Sequence, residues 1–414
     1  MKRESFIVPS SDRSSYAVEI VFPDRWNGRF VGLGNGGAGG HCATREAEAW
    51  ARQGFVAAST DLGTAPDPSL AGWNRPETIA DFGYRATHGM TLAAKERIRS
   101  VLGRDPEASY FVGASTGGQQ ALCLAQRFPA DYDGILCGVP AHARTALHAY
   151  FLWNYQATHR ADGSKLFSKE QEATYRRTVL SFLATRDPLP CAAARGFVSD
   201  PRWSAEEREE TLSRVRAADP SLTPEHIEAL RRLQEGPVHA RTGKPIFGGL
   251  PPGAEFQSAS GNLWAFRWVF GSDVRPLDID FADDIDRYFE RLRGPLDATD
   301  ENLDAFRARG GKLLLYCGSL DGCCPAHAAL DYYERVARRL GSDALTQTFF
   351  RLYLLPGRKH MGGPGIQTLP DAFPALRRWV EKGTAPEALD GIGCVPPRFR
   401  LPIVPYSANS VGYN

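Results

Sequence analysis

The sequence contains 414 residues, a length typical of two or three domains, and its 43% hydrophobic and 23% charged residues are typical of soluble globular proteins. With a formal net charge of +1, the chain lacks the excess of basic residues that is typical of nucleic-acid-binding proteins. No apolar run reaches membrane-spanning length, and no apolar segment follows the basic residues at the N-terminus. We therefore expect a cytoplasmic protein with neither nucleic acid nor membrane as partner, although a signal peptide that had been removed would leave no trace.

The N-terminal third of the chain alternates strand and helix patterns. Strands are predicted at residues 16–22, 29–33, 55–60, 110–112 and 133–137. Helices are predicted at residues 43–53, 79–101 and 119–127, and a glycine-rich loop at residues 34–40 follows the second strand. This alternation predicts an α/β fold with a mostly parallel sheet that helices cover on both faces.

The pattern changes between residues 141 and 299, where Pro- and Gly-rich loops interrupt helical segments and no buried strand is evident. Helices are predicted there at residues 169–185, 205–217 and 224–235. We predict that residues 141–299 form an inserted lid domain. The α/β pattern then returns, with strands at residues 312–316 and 348–355 and helices at residues 302–309, 325–340 and 371–382. We therefore assign residues 1–140 and 300–414 to one domain.

A G-x-S-x-G motif occupies residues 113–117, between the predicted strand at 110–112 and the predicted helix at 119–127. In such a nucleophile elbow, small flanking residues let the chain turn sharply, so that the serine hydroxyl projects above the sheet beside a helix N-terminus. The motif occurs by chance in many long chains, but its flanking strand and helix favour a nucleophilic role for Ser115. The domain of residues 1–140 and 300–414 is then predicted to be an α/β-hydrolase catalytic domain.

A serine nucleophile needs a general base, and the base needs a carboxylate that orients it. In α/β-hydrolases these residues follow the serine in the order Asp or Glu, then His, in loops beyond the strands. The two strands predicted after the lid end near Asp321 and His360, so we predict a triad of Ser115, Asp321 and His360. Among the other eight histidines, His41 and His327 also lie in loops near the predicted sheet edge.

Acyl transfer also requires hydrogen-bond donors for an oxyanion. In this fold one donor is the amide of the residue after the nucleophile, here Thr116, and the other comes from a loop after an early strand. The glycine-rich loop at residues 34–40 suits this role because its backbone can approach a substrate closely. Phosphate binding by this loop is the alternative interpretation, but neither Lys-Ser nor Lys-Thr follows the glycines.

Several short motifs are distributed along the chain. They lie at residues 26–30, 34–37, 58–61, 81–86, 115–119, 128–134 and 331–335 and around His360. Together they resemble the tannase and feruloyl esterase family, which also includes bacterial terephthalate monoester hydrolases. The resemblance covers most of residues 16–140 and 300–385 and is looser in the lid. It implies an α/β-hydrolase core with an inserted lid, and a serine esterase that acts on esters of aromatic carboxylic acids.

The resemblance also assigns roles to individual residues. It implies the same triad, with oxyanion donors at the amide of Thr116 and at Gly36 or Gly37. Members of the family typically have a cysteine directly before the nucleophile and another directly after the histidine, joined as a disulfide. Ala114 and Met361 occupy these positions here. We therefore expect packing alone to hold the two loops.

Neither a metal nor another cofactor is predicted. The eight cysteines lack C-x-x-C spacing, which argues against a zinc site, and we expect reduced thiols. Lids of the resembled family often carry a calcium loop rich in aspartate. The corresponding residues 186–196 keep little beyond Asp187, which is too few oxygen ligands for calcium.

The expected partner is a small aromatic ester, and the aromatic run at residues 263–270 is the natural candidate for its binding wall. A ring stacked between Trp264 and Trp268, with a carboxylate near Arg267, is chemically reasonable. Packing of the lid core is an equally good interpretation of these aromatic residues.

The sequence thus predicts a serine carboxylic ester hydrolase that works through an acyl-enzyme. One alternative is an acyltransferase, or a hydrolase of thioester or C–C bonds, that uses the same triad. A second alternative is a non-catalytic binding protein on a hydrolase scaffold. The sequence names neither the acid and alcohol of the substrate nor the oligomeric state.

Overall fold

An eight-stranded sheet organises the structure, a computed structural model that describes residues 1–394 and 398–408. The strands are β1 (Lys2–Ser11), β2 (Ser14–Phe22), β3 (Arg29–Leu33), β4 (Val56–Thr60), β5 (Ala108–Ala114), β6 (Gly134–Gly138), β7 (Lys312–Gly318) and β8 (Phe350–Leu355). Their order in the sheet is β1-β2-β4-β3-β5-β6-β7-β8. β2 runs antiparallel to β1 and β4, whereas all other neighbours are parallel. This mostly parallel sheet confirms the predicted fold class.

The helices fall into three groups along the chain. Before residue 141 they are α1 (Thr44–Ala51), α2 (Pro76–Ala80), α3 (Ala86–Leu102) and α4 (Thr116–Arg127). Between residues 141 and 299 they are α5 (Arg144–Thr158), α6 (Lys169–Ala184), α7 (Cys191–Arg195), α8 (Ala205–Ala218), α9 (Pro224–Glu235), α10 (Trp264–Phe270) and α11 (Asp283–Leu296). After residue 300 they are α12 (Asp304–Ala308), α13 (Ala326–Leu340), α14 (Asp343–Gln347) and α15 (Ala372–Lys382).

Successive side chains along each strand point to opposite faces of the sheet, and they belong to two hydrophobic clusters, one on each face. Phe30 of β3 and Phe111 of β5 belong to the cluster that α3, α4 and α13 cover. Their neighbours Val31 and Tyr110 belong to the cluster that α1 and α15 cover. The sheet is therefore buried on both faces, as the buried apolar runs of its parallel strands require.

The segment of residues 141–299, all of them described, is helical and contributes no strand to the sheet. Its buried side chains share one hydrophobic cluster with the first face of the sheet, so this segment packs directly on the core. The division into a catalytic domain and a lid stays a prediction, and residues 395–397 and 409–414 of the predicted catalytic domain lie outside the described residues.

Some elements differ from the sequence-based expectation. The helix expected at residues 79–101 consists of α2, a π-helical turn at Asp81–Arg85, and α3. Strand β1 was not expected, and neither was the antiparallel pair of β9 (Leu389–Gly393) and β10 (Phe399–Ile403) near the C-terminus. Among the described helices, none has the length and apolar composition needed to cross a membrane.

The parallel strands end at a common edge of the sheet, which positions the functional loops. In register, Ala114 at the end of β5 pairs with Gly138 at the end of β6, and Gly318 at the end of β7 pairs with Leu355 at the end of β8. Loops that leave the carboxyl ends of parallel strands share one edge. The predicted nucleophile, carboxylate and histidine lie in or directly after such loops.

Candidate active site

Ser115 occupies a sharp turn between β5 and α4. Its backbone has φ 61° and ψ −115°, a conformation that residues other than glycine rarely adopt. The Ser115 amide donates to Gly138 O at 3.0 Å, and the Ser115 carbonyl accepts from the amide of Ala141 at 3.0 Å. At Gly113 a Cβ atom would lie 2.4 Å from Gly117 O, so only glycine fits this tight turn. Neighbouring backbone thus holds Ser115 in place.

His360 and Asp321 lie beside this serine. With Nδ1 protonated, His360 donates to Asp321 Oδ2 at 2.9 Å, and Ser115 Oγ donates to His360 Nε2 at 3.2 Å. The fully buried Asp321 carboxylate also accepts, through Oδ1, the amides of Cys323 and Cys324 at 2.9 and 2.8 Å. These bonds fix the carboxylate, which in turn fixes the imidazole. The structure thus brings the three predicted residues into one hydrogen-bonded chain.

Opposing influences act on the pKa of His360. Burial lowers it, whereas the hydrogen bond and the negative charge of Asp321 raise it, and the nearby Cys323 thiol also raises it. The net effect raises the pKa of His360 to about 9, from an ordinary value of 6.5. The pKa of the Cys323 thiol is lowered, mainly by its hydrogen bond with Cys324.

The loop after β3 lies against the elbow. Thr116 Oγ1 donates to Gly37 O at 2.6 Å, and the Gly117 amide donates to Asn35 O at 2.7 Å. At Gly34, a Cβ atom would come within 2.5 Å of the Cα atom of Gly117. Close approach therefore requires glycine at this point of the loop.

Three amides of the elbow and of this loop are free to bind an oxyanion. Within the described part of the chain, the amides of Gly36, Gly37 and Thr116 donate no hydrogen bond. Thr116 begins α4, so its N–H also lies at the positive end of that helix. This is the arrangement expected of oxyanion donors.

The loop that carries His360 is held without a disulfide. The Lys359 amide donates to Gly362 O at 2.9 Å, and the Gly365 amide donates to Gly357 O at 3.1 Å. All eight cysteines lie among the described residues and are free. Met361, directly after the histidine, is 84% exposed. Backbone hydrogen bonds within the loop take the place of a covalent link.

The three lid residues predicted to contact substrate have different positions. Trp264 and Trp268, one helical turn apart on α10, both pack edge-on against Phe82, with ring centroids at 5.3 and 5.1 Å. Arg267 is exposed, and no described hydrogen bond or ring contact links it to Ser115 or His360. The expectation of a carboxylate near Arg267 assumed an alternating pattern, whereas on a helix the two tryptophans share the buried face and the arginine is left outside.

One buried cation near the serine, Arg144, was missed by sequence reasoning. Its guanidinium donates to Thr116 Oγ1 at 2.8 Å and to Gln119 Oε1 at 2.7 and 2.5 Å. It also lies 5.8 Å from the ring centroids of both Phe82 and Trp264. The signal that could have found it is a lone arginine in the mostly apolar stretch that follows β6.

Two thiols and the imidazole of His360 form the one described group of three that could hold a metal ion. Ligand atoms of Cys323, Cys324 and His360 all lie within 4.8 Å of one another. Thiol and imidazole ligands suit zinc and other soft metals. An ion bound there would occupy the imidazole that contacts Ser115, so metal binding would compete with the predicted triad.

Other histidines have other structural partners. His88 Nδ1 lies 2.8 Å from Asp131 Oδ2, before the start of β6 and thus at the opposite edge of the sheet. His327 Nε2 donates to Gly249 O at 3.2 Å. Neither contacts Ser115, whereas His360 does.

Comparisons with known proteins agree with this geometry. The family model for tannase and feruloyl esterase matches residues 7–274 and 266–393. An uncharacterized esterase of Xanthomonas campestris pv. campestris is 30% identical over 92% of this chain and 75% of its own. The mono(2-hydroxyethyl) terephthalate hydrolase of Piscinibacter sakaiensis is 28% identical over 94% of this chain and 78% of its own.

A solved structure shares the fold. The crystal structure of feruloyl esterase B from Aspergillus oryzae matches with a TM-score of 0.83 at 22% identity, covering 98% of this chain and 86% of that one. The resemblance read from the sequence motifs is thereby confirmed. The chain belongs to the tannase and feruloyl esterase family of carboxylic ester hydrolases.

Proposed function

We propose that this protein hydrolyses esters of aromatic carboxylic acids through an acyl-enzyme on Ser115. The observation that carries the proposal is the continuous hydrogen-bonded chain from Asp321 through His360 to Ser115. Aspartate fixes the tautomer and orientation of the histidine, and the histidine can then accept the serine proton. Such a chain is one of the arrangements that activate a serine nucleophile.

In the proposed first half-reaction, His360 Nε2 takes the Ser115 proton while Oγ attacks the ester carbonyl carbon. The amides of Thr116 and of Gly36 or Gly37 donate to the resulting oxyanion, which is where charge develops in the transition state. The protonated His360 then gives its proton to the departing alcohol oxygen. An ester between Ser115 and the acid remains.

Water completes the proposed cycle. His360, again neutral, accepts a proton from a water molecule, which attacks the acyl carbon through a second oxyanion at the same amides. Collapse of this intermediate returns the proton to Ser115 and releases the carboxylic acid. No further reactant is needed, so the products are one acid and one alcohol.

The aromatic nature of the acid is supported by the surroundings of the serine and by the relatives. The rings of Trp264 and Phe82 lie on the side of the elbow where Arg144 contacts Thr116. Two of the similar proteins named above are a hydrolase of mono(2-hydroxyethyl) terephthalate and a feruloyl esterase, whose names describe esters of aromatic acids. Aromatic rings prefer offset or edge contacts with other rings, which such a wall provides.

The test of this proposal compares wild type with Ser115→Ala on methyl ferulate and p-nitrophenyl acetate. We expect Ser115→Ala to lower kcat by about 10⁴-fold or more, because the remaining groups lack a nucleophile. Ser213→Ala, which changes an exposed serine on α8, is the matched control. A fluorophosphonate should label wild type and Ser213→Ala only. Retained turnover or labelling in Ser115→Ala would contradict the proposal.

An alcohol or amine could accept the acyl group in place of water, and product analysis tests this alternative. Mass spectrometry of the products, with and without an added alcohol or amine, distinguishes hydrolysis from acyl transfer. The proposal expects the free acid to remain the main product when the acceptor is present. A dominant transfer product would instead support the acyltransferase interpretation.

A further inference from the structure

Two adjacent cysteines follow the carboxylate of the predicted triad. Cys323 and Cys324 lie in the loop between β7 and α13, and their amides donate to Asp321 Oδ1 at 2.9 and 2.8 Å. The other oxygen of this carboxylate, Oδ2, accepts from His360 Nδ1 at 2.9 Å. One carboxylate therefore holds both the backbone of the two cysteines and the imidazole, so the fold itself sets where the thiols lie relative to His360.

The three side chains form a set of metal ligands. The two Sγ atoms and a ring nitrogen of His360 all lie within 4.8 Å of one another, and both thiols are free. In a tetrahedral zinc site with Zn–S of about 2.3 Å and Zn–N of about 2.0 Å, neighbouring ligand atoms lie about 3.5 to 3.8 Å apart. Movements of about 1 Å are therefore enough to close the three side chains around an ion.

The donor atoms select the kind of ion. Two thiolates and one imidazole suit zinc and other thiophilic ions, whereas calcium and magnesium require oxygen ligands. Two cysteines, one histidine and an open fourth position form a ligand set that zinc adopts in proteins. Two thiolates also balance the two charges of such an ion. The lack of C-x-x-C spacing does not exclude this site, because a histidine from a distant loop completes the pair of cysteines.

An ion at this position would take the imidazole away from the serine. If Nε2 binds the ion, Ser115 Oγ loses its hydrogen bond of 3.2 Å to that nitrogen. If Nδ1 binds the ion, the bond to Asp321 Oδ2 is lost instead. Nε2 is favoured, because Nδ1 can then continue to donate to the carboxylate, as the second nitrogen of a metal-bound histidine usually does. In both cases His360 can no longer accept the serine proton.

Solvent reaches this group of ligands. The side chain of His360 is 23% exposed, Cys323 is half-buried, and Met361 beside the histidine is exposed. Cys324 is the one buried ligand of the three. An ion can therefore contact two of its ligands directly from solvent before the third closes on it.

We propose that Cys323, Cys324 and His360 bind a thiophilic divalent ion such as Zn²⁺, and that the bound ion reversibly blocks the triad. Binding breaks the two S–H bonds and forms two Zn–S bonds and one Zn–N bond. The two protons pass to the solvent, and no atom changes its oxidation state. The blocking effect rests on the proposed esterase function, whereas binding of the ion does not.

Binding is tested on the wild-type chain with Co²⁺ as a spectroscopic substitute for Zn²⁺. The protein is first freed of metal with a chelator and kept under a reductant that is not a thiol. We expect one ion per chain and the charge-transfer absorption of thiolate bound to cobalt, which added Zn²⁺ should abolish. This measurement needs neither a variant nor activity. Absence of thiolate-to-cobalt absorption in excess Co²⁺ would overturn the inference.

A variant then assigns the ion to these residues. Cys323→Ser should weaken Zn²⁺ binding, measured by calorimetry, by about 100-fold or more, because residues that only orient a metal ligand already contribute about 10- to 100-fold. Serine keeps the backbone amide that donates to Asp321. Cys394→Ser, at an exposed cysteine elsewhere, is the matched control and should bind Zn²⁺ like wild type. Unchanged affinity in Cys323→Ser would place the ion elsewhere and overturn the inference.

Blocking is measured on p-nitrophenyl acetate, as turnover in Zn²⁺ divided by turnover of the same variant in chelator. For wild type and Cys394→Ser we expect saturating Zn²⁺ to lower turnover by about 10-fold or more, because His360 no longer serves as a base. Excess chelator should restore it. Cys323→Ser should keep a ratio near unity at the same Zn²⁺ concentration. Binding of Zn²⁺ without loss of turnover, or turnover that requires Zn²⁺, would overturn the inference.

The outcomes separate this inference from the proposed function. Turnover that depends on Ser115 but does not respond to Zn²⁺, without thiolate-to-cobalt absorption, would leave the esterase proposal intact and remove the ion site. Absence of turnover on every ester, together with absence of fluorophosphonate labelling, would remove the proposed function and the blocking effect. Thiolate-to-cobalt absorption would still support the ion site in that case.

Discussion

The two sides of the candidate active site are built from different kinds of contact. On one side, Ser115, Asp321 and His360 are held by hydrogen bonds from loops at the carboxyl edge of the sheet. On the other side, the rings of Phe82 and Trp264 lie beside Arg144 of α5, whose hydrogen-bond partners are neutral. In the proposed function the first side carries out the chemistry, whereas the second side surrounds a buried cation with neutral and aromatic groups. Changes on the first side should lower turnover on every ester, and changes on the second should alter the choice among esters.

The largest effect should come from the triad carboxylate. Asp321→Asn keeps the size of the side chain but removes its charge, so His360 is no longer held in the tautomer that accepts the serine proton. We expect kcat to fall by about 10⁴-fold on charged and neutral esters alike. Asp131→Asn is the control, because it alters a similar His–Asp pair at the opposite edge of the sheet. Unequal losses of kcat on charged and neutral esters would show that Asp321 also affects the choice among esters, which would contradict the division into two sides.

The pH profile tests the same side of the site. Only neutral His360 can accept the serine proton, and its pKa is raised to about 9. We therefore expect kcat/KM to rise with pH up to about 9, with a tenfold change per pH unit well below that value. In Asp321→Asn the rise should move to lower pH, because burial then acts without the opposing charge. A profile that is flat between pH 6 and 9 would contradict this expectation.

The same pKa shift has a consequence for folding. The folded state binds the His360 proton more tightly than the unfolded state, in which the pKa is about 6.5. The resulting stabilisation is complete below pH 6.5 and is lost as the pH rises through about 9. Activity and this contribution to stability therefore change in opposite directions with pH.

An intermediate effect is expected at the contact between the loop after β3 and the elbow. In Gly34→Ala the new methyl group would lie 2.5 Å from the Cα atom of Gly117, so the backbone must shift. We expect the free energy of unfolding to fall by about 1 to 3 kcal/mol, measured by urea denaturation. Gly36→Ala is the matched control for stability, since no atom lies within 4 Å of its added methyl group. Equal stability of the two variants would show that this contact is not tight.

The smallest effect should come from the aromatic side. Trp268 Nε1 donates to Pro68 O at 3.0 Å, a hydrogen bond that Trp268→Phe removes while keeping an aromatic ring. We expect the free energy of unfolding to fall by about 1 kcal/mol. Trp73→Phe, at a partly exposed tryptophan whose indole nitrogen has no described hydrogen bond, should change it less. A larger loss of unfolding free energy in Trp73→Phe than in Trp268→Phe would mean that the hydrogen bond from Trp268 to Pro68 does not anchor α10.

The hydrogen-bonded group of Ser115, Asp321 and His360 could be predicted from the sequence, because each residue follows a recognisable strand and the elbow motif is local. The surroundings of Arg144 could not be predicted, because they form only when α5 packs against three other elements. These are the π-helical turn with Phe82, α4 with Thr116 and Gln119, and α10 with Trp264. The exposed position of Arg267 could not be predicted either, because a short aromatic run does not reveal whether it forms a strand or a helix.

The elements at the ends of the chain were missed for related reasons. Strand β1 lies at the edge of the sheet and alternates between exposed and half-buried residues, so it lacks the continuous apolar run of the central strands. Its pairing with β2 defines it more than its own composition does. The turn of π-helix at Asp81–Arg85 likewise reflects packing and has no signature in the sequence.

The backbone of Ser115 places stability and activity in conflict at a single position. A residue other than glycine with φ 61° and ψ −115° carries strain of about 1 to 3 kcal/mol. Glycine would adopt the same conformation with less strain, but it has no hydroxyl. Selection for thermal stability alone would therefore favour the loss of the proposed nucleophile, and a directed-evolution experiment on this protein has to select for turnover at the same time.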